Sequence, residues 1–198
     1  GIMLRKLGRV SVVIYYVSDY SPTRYSNGWF NRLYLALDRF CATHSDFIWD
    51  TSKVFQVARI EAGLDPKKSS PVVYVPNGVY PQQLIFTPVN QRQIFSLGYV
   101  GTLGEENGPD LAIEMLPLIL KKYPQTSLHI IGGGEENLNR LKDLAESLRV
   151  TENVIFHGFV VDSLTMAKIL SRCFIAVAPY RAYAGSIRQY GDASKLRS

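Results

Sequence analysis

Short apolar runs alternate with amphipathic helical stretches along the chain, and this alternation constrains the fold more than any other feature. A strand followed by a helix before the next strand returns parallel to the first, through a right-handed crossover. The sequence therefore predicts a doubly wound α/β protein with parallel sheets of the Rossmann-like kind.

In the first part, Val10–Val17 is a β-branched and aromatic run, as expected of a strand buried on both faces. A helix is predicted over Gly28–Thr43, with Phe30, Leu33, Leu37 and Phe40 or Cys41 on one face. Asp46–Trp49 reads as a strand. Ser52 is placed to cap a helix through Ile60 that stops at Gly63. Pro71–Val75 forms another strand and runs into the turn Pro76-Asn77-Gly78. Residues 1–78 are thus expected to form one domain portion and 79–93, irregular and holding Pro81 and Pro88, an interdomain connection.

The part from 94 to 198 is more regular. Strands are expected at Ile94–Val100, Ser127–Ile131, Asn153–Phe156 and Cys173–Ala178. Helices fall between them at Pro109–Tyr123, after Gly134 through Arg149, and from a cap at Asp162 to Arg172. Pro117 should kink or loosen the first of these. Leu138, Leu141, Leu144, Ala145 and Leu148 make a clear apolar stripe on the second.

With 46% hydrophobic and 20% charged residues, the chain has the profile of a globular protein with a real core. A net charge of +5 favours anionic partners. The basic residues are scattered rather than striped among aromatics, so nucleic acid is not among the expected partners. No apolar run approaches the ~20 residues of a membrane span. The opening GIMLRKLGRVSVV is too polar for a signal peptide. Cys41 and Cys173 read as reduced core thiols. These features point to the cytoplasm, with contact at the inner face of the membrane as an open alternative. An exposed Trp29 near Arg24, Tyr25 and Phe30 would serve such contact; otherwise Trp29 and Trp49 are packing residues. The dispersed histidines offer no metal-ligand spacing, and no metal or other cofactor is expected. No elbow motif supports hydrolase chemistry.

In an open parallel sheet, ligands bind beyond the carboxyl ends of the strands. That rule selects four segments: Gly101-Thr102-Leu103-Gly104, Gly132-Gly133-Gly134, His157-Gly158-Phe159-Val160, and Pro179-Tyr180-Arg181. Glycines there allow a phosphate or ring to approach the backbone closely. The Gly132 segment is not a dinucleotide fingerprint, since its helix opens with Glu135-Glu136. GTLGEENG likewise lacks the lysine and hydroxyl of a phosphate-binding P-loop. His157, beside a glycine at a strand end, is placed to hydrogen-bond a base or phosphate. His129 is read as core or lining.

The segments YVPNGV, SLGYVGTLGEENGPDLAIEMLPLILKKYP, LHIIGGGEENLNRLKDLAESLRVTENVIFHGFV, IAVAPY and DASKL together resemble glycosyltransferase family 4, of GT-B architecture, over Val73 to Leu196. The resemblance implies retaining transfer of a sugar from a nucleoside diphosphate, without a protein-bound metal, to a glycan or lipid-linked acceptor. It makes 94–198 the donor-nucleotide domain, incomplete at its end, and 1–78 the last part of the acceptor-side domain. A chain lacking both ends in this way is expected to be inactive as it stands. Gly101, Thr102 and Leu103 would lie under the donor diphosphate, with Asn107 in the same loop and Gly133 near a neutral ring. His157, Gly158, Phe159 and Val160 would border the base, and Pro179, Tyr180 and Arg181 the sugar and phosphate. Asp192 and Lys195 match a DxxKL segment leading to a ribose-binding glutamate, where Ser198 stands here. Thr102 and Asn107 occupy places where relatives carry an arginine and a lysine, so either Lys195, Arg181 or another cation takes over or transfer is weak; Arg181 and Lys195 are the expected catalytic residues. A non-catalytic binding or scaffolding module of the same fold is the alternative, and a two-domain sugar-nucleotide epimerase a further one.

Overall fold

The protein's structure, a computed structural model, describes residues 1–78, 81, 84–181 and 190. They belong to two compact units, the first holding residues 1–78 and Tyr190 and the second residues 81 and 84–181. Each is built on an all-parallel sheet.

The first unit runs α1 (Ile2–Lys6), β1 (Ile14–Val17), α2 (Gly28–His44), β2 (Phe47–Asp50), α3 (Val54–Glu61) and β3 (Val72–Tyr74). Its strands lie in the order β1-β2-β3. The Asn27 side-chain oxygen starts α2 by accepting from the amides of Trp29 and Phe30. The Ser52 hydroxyl accepts the Val54 amide at the head of α3, and Gly63, at φ 96°, ends that helix. Val17, Tyr20, Phe55 and Ala58 form one small core, and Ala42, Ile48 and Leu64 another.

Three expectations need correcting here. The first strand covers only Ile14–Val17, and Ile14 and Tyr16 are exposed. Among the described residues it is an edge strand, so the doubly buried setting that its composition suggests is not seen there. The predicted apolar face of α2 also points away from this unit's core, since Phe30, Leu33, Leu37 and Phe40 are all exposed. The buried side of α2 carries Asp38 and Ala42 instead. Asp38 belongs there because it meets a guanidinium from α3. Arg59, fully buried, forks onto Asp50 (Nη1–Oδ2 2.6 Å, Nη2–Oδ1 3.0 Å) and reaches Asp38 through Nε at 3.3 Å. The Tyr15 hydroxyl donates to the same Asp38 oxygen at 2.9 Å, and the Tyr20 ring lies 4.9 Å from the guanidinium carbon. Nor do the tryptophans pack as expected: Trp29 is 66% and Trp49 38% exposed.

The second unit contains β4 (Gln93–Val100), α4 (Pro109–Glu114), α5 (Leu116–Leu120), β5 (Ser127–Ile131), α6 (Glu135–Ser147), β6 (Val154–Gly158), α7 (Ser163–Arg172) and β7 (Cys173–Ala176). The predicted helix over Pro109–Tyr123 is divided at Met115. The cause is Pro117, which has no amide to donate and whose ring crowds the carbonyl four residues back. Leu97, Tyr99, Leu128, Ile130 and Val154 pack on one side of the sheet against Ala112, Ile113, Leu116, Leu141 and Ala145. On the other side α7 lies so close to β4 that a Cβ on Gly98 would sit 3.0 Å from Cys173 Sγ and 3.1 Å from Leu170. Asp162 caps α7 with bonds from the amides of Leu164 and Thr165. Helices on both faces make this unit doubly wound, as predicted.

Candidate functional site

The strand order of the second unit is β6-β5-β4-β7. The chain steps outward from β4 to β5 to β6, then crosses by α7 to the far side of β4. The order therefore reverses between β4 and β7, and a doubly wound sheet opens its ligand crevice at such a switch point. All four predicted segments lie at the carboxyl ends of these parallel strands, hence on one rim.

Close backbone contacts hold the rim together. The Gly101 amide donates to Ile131, that of Gly132 to Gly158, and that of Val177 to Gly98. A Cβ at Gly132 would overlap the Gly101 carbonyl oxygen, and one at Gly108 the Pro179 carbonyl oxygen. The Arg181 amide bonds Glu106 O at 3.3 Å. These glycines let neighbouring turns touch, and two of their amides are used within the sheet rather than offered to a ligand.

The predicted residues divide accordingly. Thr102 is exposed, and its hydroxyl accepts from the Asn107 side-chain amide at 2.6 Å. Asn107 is buried and also donates to Glu106, so it braces the loop. Leu103 is a core residue with 1% exposure. Gly133 backs onto Phe159, whose ring is 76% exposed, and Val160, Pro179 and Tyr180 are half-buried along the rim. His157 and Gly158 close β6 rather than sit in a loop, because β5 continues alongside them and Gly158 pairs with Ile131. Arg181 places its Nη2 2.6 Å from Asp110 Oδ2. Asp192 and Lys195 lie outside the described residues. A groove of about 510 Å³ on the α7 side reaches this rim at Val100 and Ala178.

The sequence reading missed two residues, Asp110 and Arg140, and the pairing of His129 with His157. His129 Nδ1 lies 3.0 Å from His157 Nε2, and the two rings stack. Asp110 is buried beneath Arg181, and Arg140 approaches the same carboxylate. All depend on partners distant in sequence, and local periodicity carries no signal of them.

Burial lowers the pKa of both histidines, and in His129 the neighbouring His157 adds to the effect. A histidine whose pKa falls on folding binds its proton more readily in the unfolded chain, so its contribution to stability is complete above the unfolded value of about 6.5 and is lost as pH falls below it. The second unit should therefore melt at progressively lower temperature from pH 7.5 to 5.0, followed by far-UV circular dichroism. H157Q should flatten that slope, and an unchanged slope would remove the pair from the account.

A model of the family described as "Glycosyl transferases group 1" matches residues 87–185, half of the chain. The chain belongs to the group 1 glycosyltransferases. This glycosyltransferase chain is 31% identical over 147 residues to the O-antigen biosynthesis glycosyltransferase WbnH of Escherichia coli, a match covering 73% of this chain and 39% of that relative. Among solved structures it resembles WaaG, a glycosyltransferase involved in lipopolysaccharide biosynthesis, with a TM-score of 0.60 and 18% identity, over 90% of this chain and 53% of that one. It also resembles the pneumococcal O-GlcNAc transferase GtfA, solved with UDP and GlcNAc, with a TM-score of 0.61 and 17% identity, over 89% of this chain and 34% of that one. These likenesses agree with the expected GT-B type of Rossmann-like fold. The glycosyltransferase chain spans about two-fifths of the length of WbnH. No helix among its described residues is long and apolar enough to cross a membrane.

Proposed function

We propose that the rim of the second unit binds the nucleoside diphosphate of an activated sugar, and that the whole protein transfers the sugar, with retention, to a glycan or lipid-linked acceptor. One observation supports this most: four βα turns lie on the one rim that holds the switch point between β4 and β7, with a guanidinium among them. Negative charge grows on the departing diphosphate during transfer, so a cation fixed there favours the transition state over the bound donor. Arg181 supplies that charge, with Lys195 as its proposed companion. Phe159 and Val160 flank the base in this reading, and Tyr180 the sugar. Residues 1–78 belong to the acceptor side. The exposed Trp29 and Phe30 offer a point of peripheral membrane contact on the cytoplasmic face. The name of WbnH, an O-antigen biosynthesis glycosyltransferase, favours a glycan acceptor.

Calorimetric titration with UDP and with GDP tests this reading. One of them should bind saturably, and R181M should weaken it about tenfold, which is about 1.4 kcal/mol. Failure of both nucleotides to bind would defeat the proposal.

A second reading, binding without transfer, draws on Thr102 and Asn107. They bond each other and bring no cation to the first loop. Incubation of the whole protein with UDP-hexose and GDP-hexose separates the two, because a scaffold releases no sugar to acceptor or water.

A further inference from the structure

We propose that Arg140 is a second diphosphate-binding guanidinium of this rim, and that Asp110 aligns Arg140 and Arg181 as a pair; this rests on the reading that the rim takes a nucleoside diphosphate. Asp110 lies in the first turn of α4 with its side chain 8% exposed. Its Oδ2 receives Arg181 Nη2 at 2.6 Å and stands 3.9 Å from Arg140 Nη1. Its Oδ1 has no hydrogen-bond partner among the described residues. Arg140 projects from α6, keeps 35% of its side chain exposed, and donates through Nη2 to the Leu103 carbonyl at 3.4 Å.

Two features make Arg140 more than a loop brace. A guanidinium carries five N–H donors, and the 3.9 Å separations to Asp110 and to Glu105 Oε1 are too long for hydrogen bonds. Most of its donor capacity is therefore open to an anion. Charge gives the second reason. Two guanidinium groups share one buried carboxylate, while Glu105 is 70% exposed and its charge is screened by water. The loop GTLGEENG holds no cation of its own, so among the described residues Arg140 and Arg181 are the cations that face Asp110, Glu105 and Glu106 here and could meet an anion. Planar forks suit the paired oxygens of a pyrophosphate better than point charges do. Asp110, which touches the arginines rather than the ligand, acts as a positioning residue.

The test uses the full chain and whichever of UDP and GDP the wild type binds, with uridine or guanosine as the phosphate-free probe. R140Q should weaken diphosphate binding about tenfold and leave nucleoside binding unchanged. R140K should fall between wild type and R140Q, and K142Q, exposed on the same helix, should bind as wild type. D110N combined with R140Q should cost little more than the larger single effect, because both act through one cluster. Wild-type diphosphate affinity in R140Q, or equal loss of diphosphate and nucleoside, overturns the assignment while the nucleotide-site reading stands. If the wild type binds neither diphosphate, that reading fails first and takes this one with it.

Discussion

R59M is expected to unfold the first unit, with a loss of about 3–5 kcal/mol. Arg59 is buried, and its partners Asp50 and Asp38 have only 2% and 5% of their side chains exposed. Removing the cation leaves two carboxylates out of water without compensation. Methionine fills much of the volume, so the loss is electrostatic rather than a cavity effect. R59K should fail almost as badly, since an ammonium cannot fork onto both oxygens of Asp50. Burial already raises the pKa of Asp50 even with Arg59 beside it. Without Arg59 the folded state would bind protons more strongly than the unfolded one, so the variant should regain stability as pH falls toward 5. Both tryptophans of the chain belong to this unit, and their fluorescence during urea unfolding reports it alone. A variant with the wild-type midpoint would show that the cluster contributes nothing net.

G108A should damage the second unit by about 3 kcal/mol and lower its melting temperature by about 12 °C or more. Gly108 has φ 68°, a left-handed conformation that costs alanine about 1 kcal/mol. The larger part comes from its neighbour: the new methyl group would overlap the Pro179 carbonyl and push the Pro179–Arg181 turn away from α4. That motion would pull Arg181 off Asp110, so nucleotide affinity should fall along with stability. G158A separates the two causes, because Gly158 has the same φ of 68° but open space around the Cβ position. It should lose only the conformational part. Equal losses in the two variants would mean that the close approach to Pro179 has no role.

Much of the second unit was legible in the sequence. Its helices carry local signatures: Asp162 as a cap, Pro117 as a break, and the Leu138–Leu148 stripe as a buried face. The rim segments follow from where those strands end, because parallel strands leave all their following turns on one side. The first unit was harder to read. Periodicity found α2 but named the wrong inner face, since a buried ion cluster, rather than its leucines and phenylalanines, faces this unit's interior. The site was legible as segments and not as contacts. Thr102 and Asn107 stand where cations were expected, and only coordinates show that they bond each other.

The sequence by itself determined the parallel α/β class, the order of its elements and the rim on which they end, because hydrophobic period and chain connectivity act locally. Tertiary structure alone decided which charges meet. Arg59 finds Asp38, Arg181 finds Asp110, and His129 finds His157, each across more than twenty residues. Such pairings depend on how folding brings distant segments together and on the cost of leaving a buried polar group unpaired, and neither is written in any local stretch of residues.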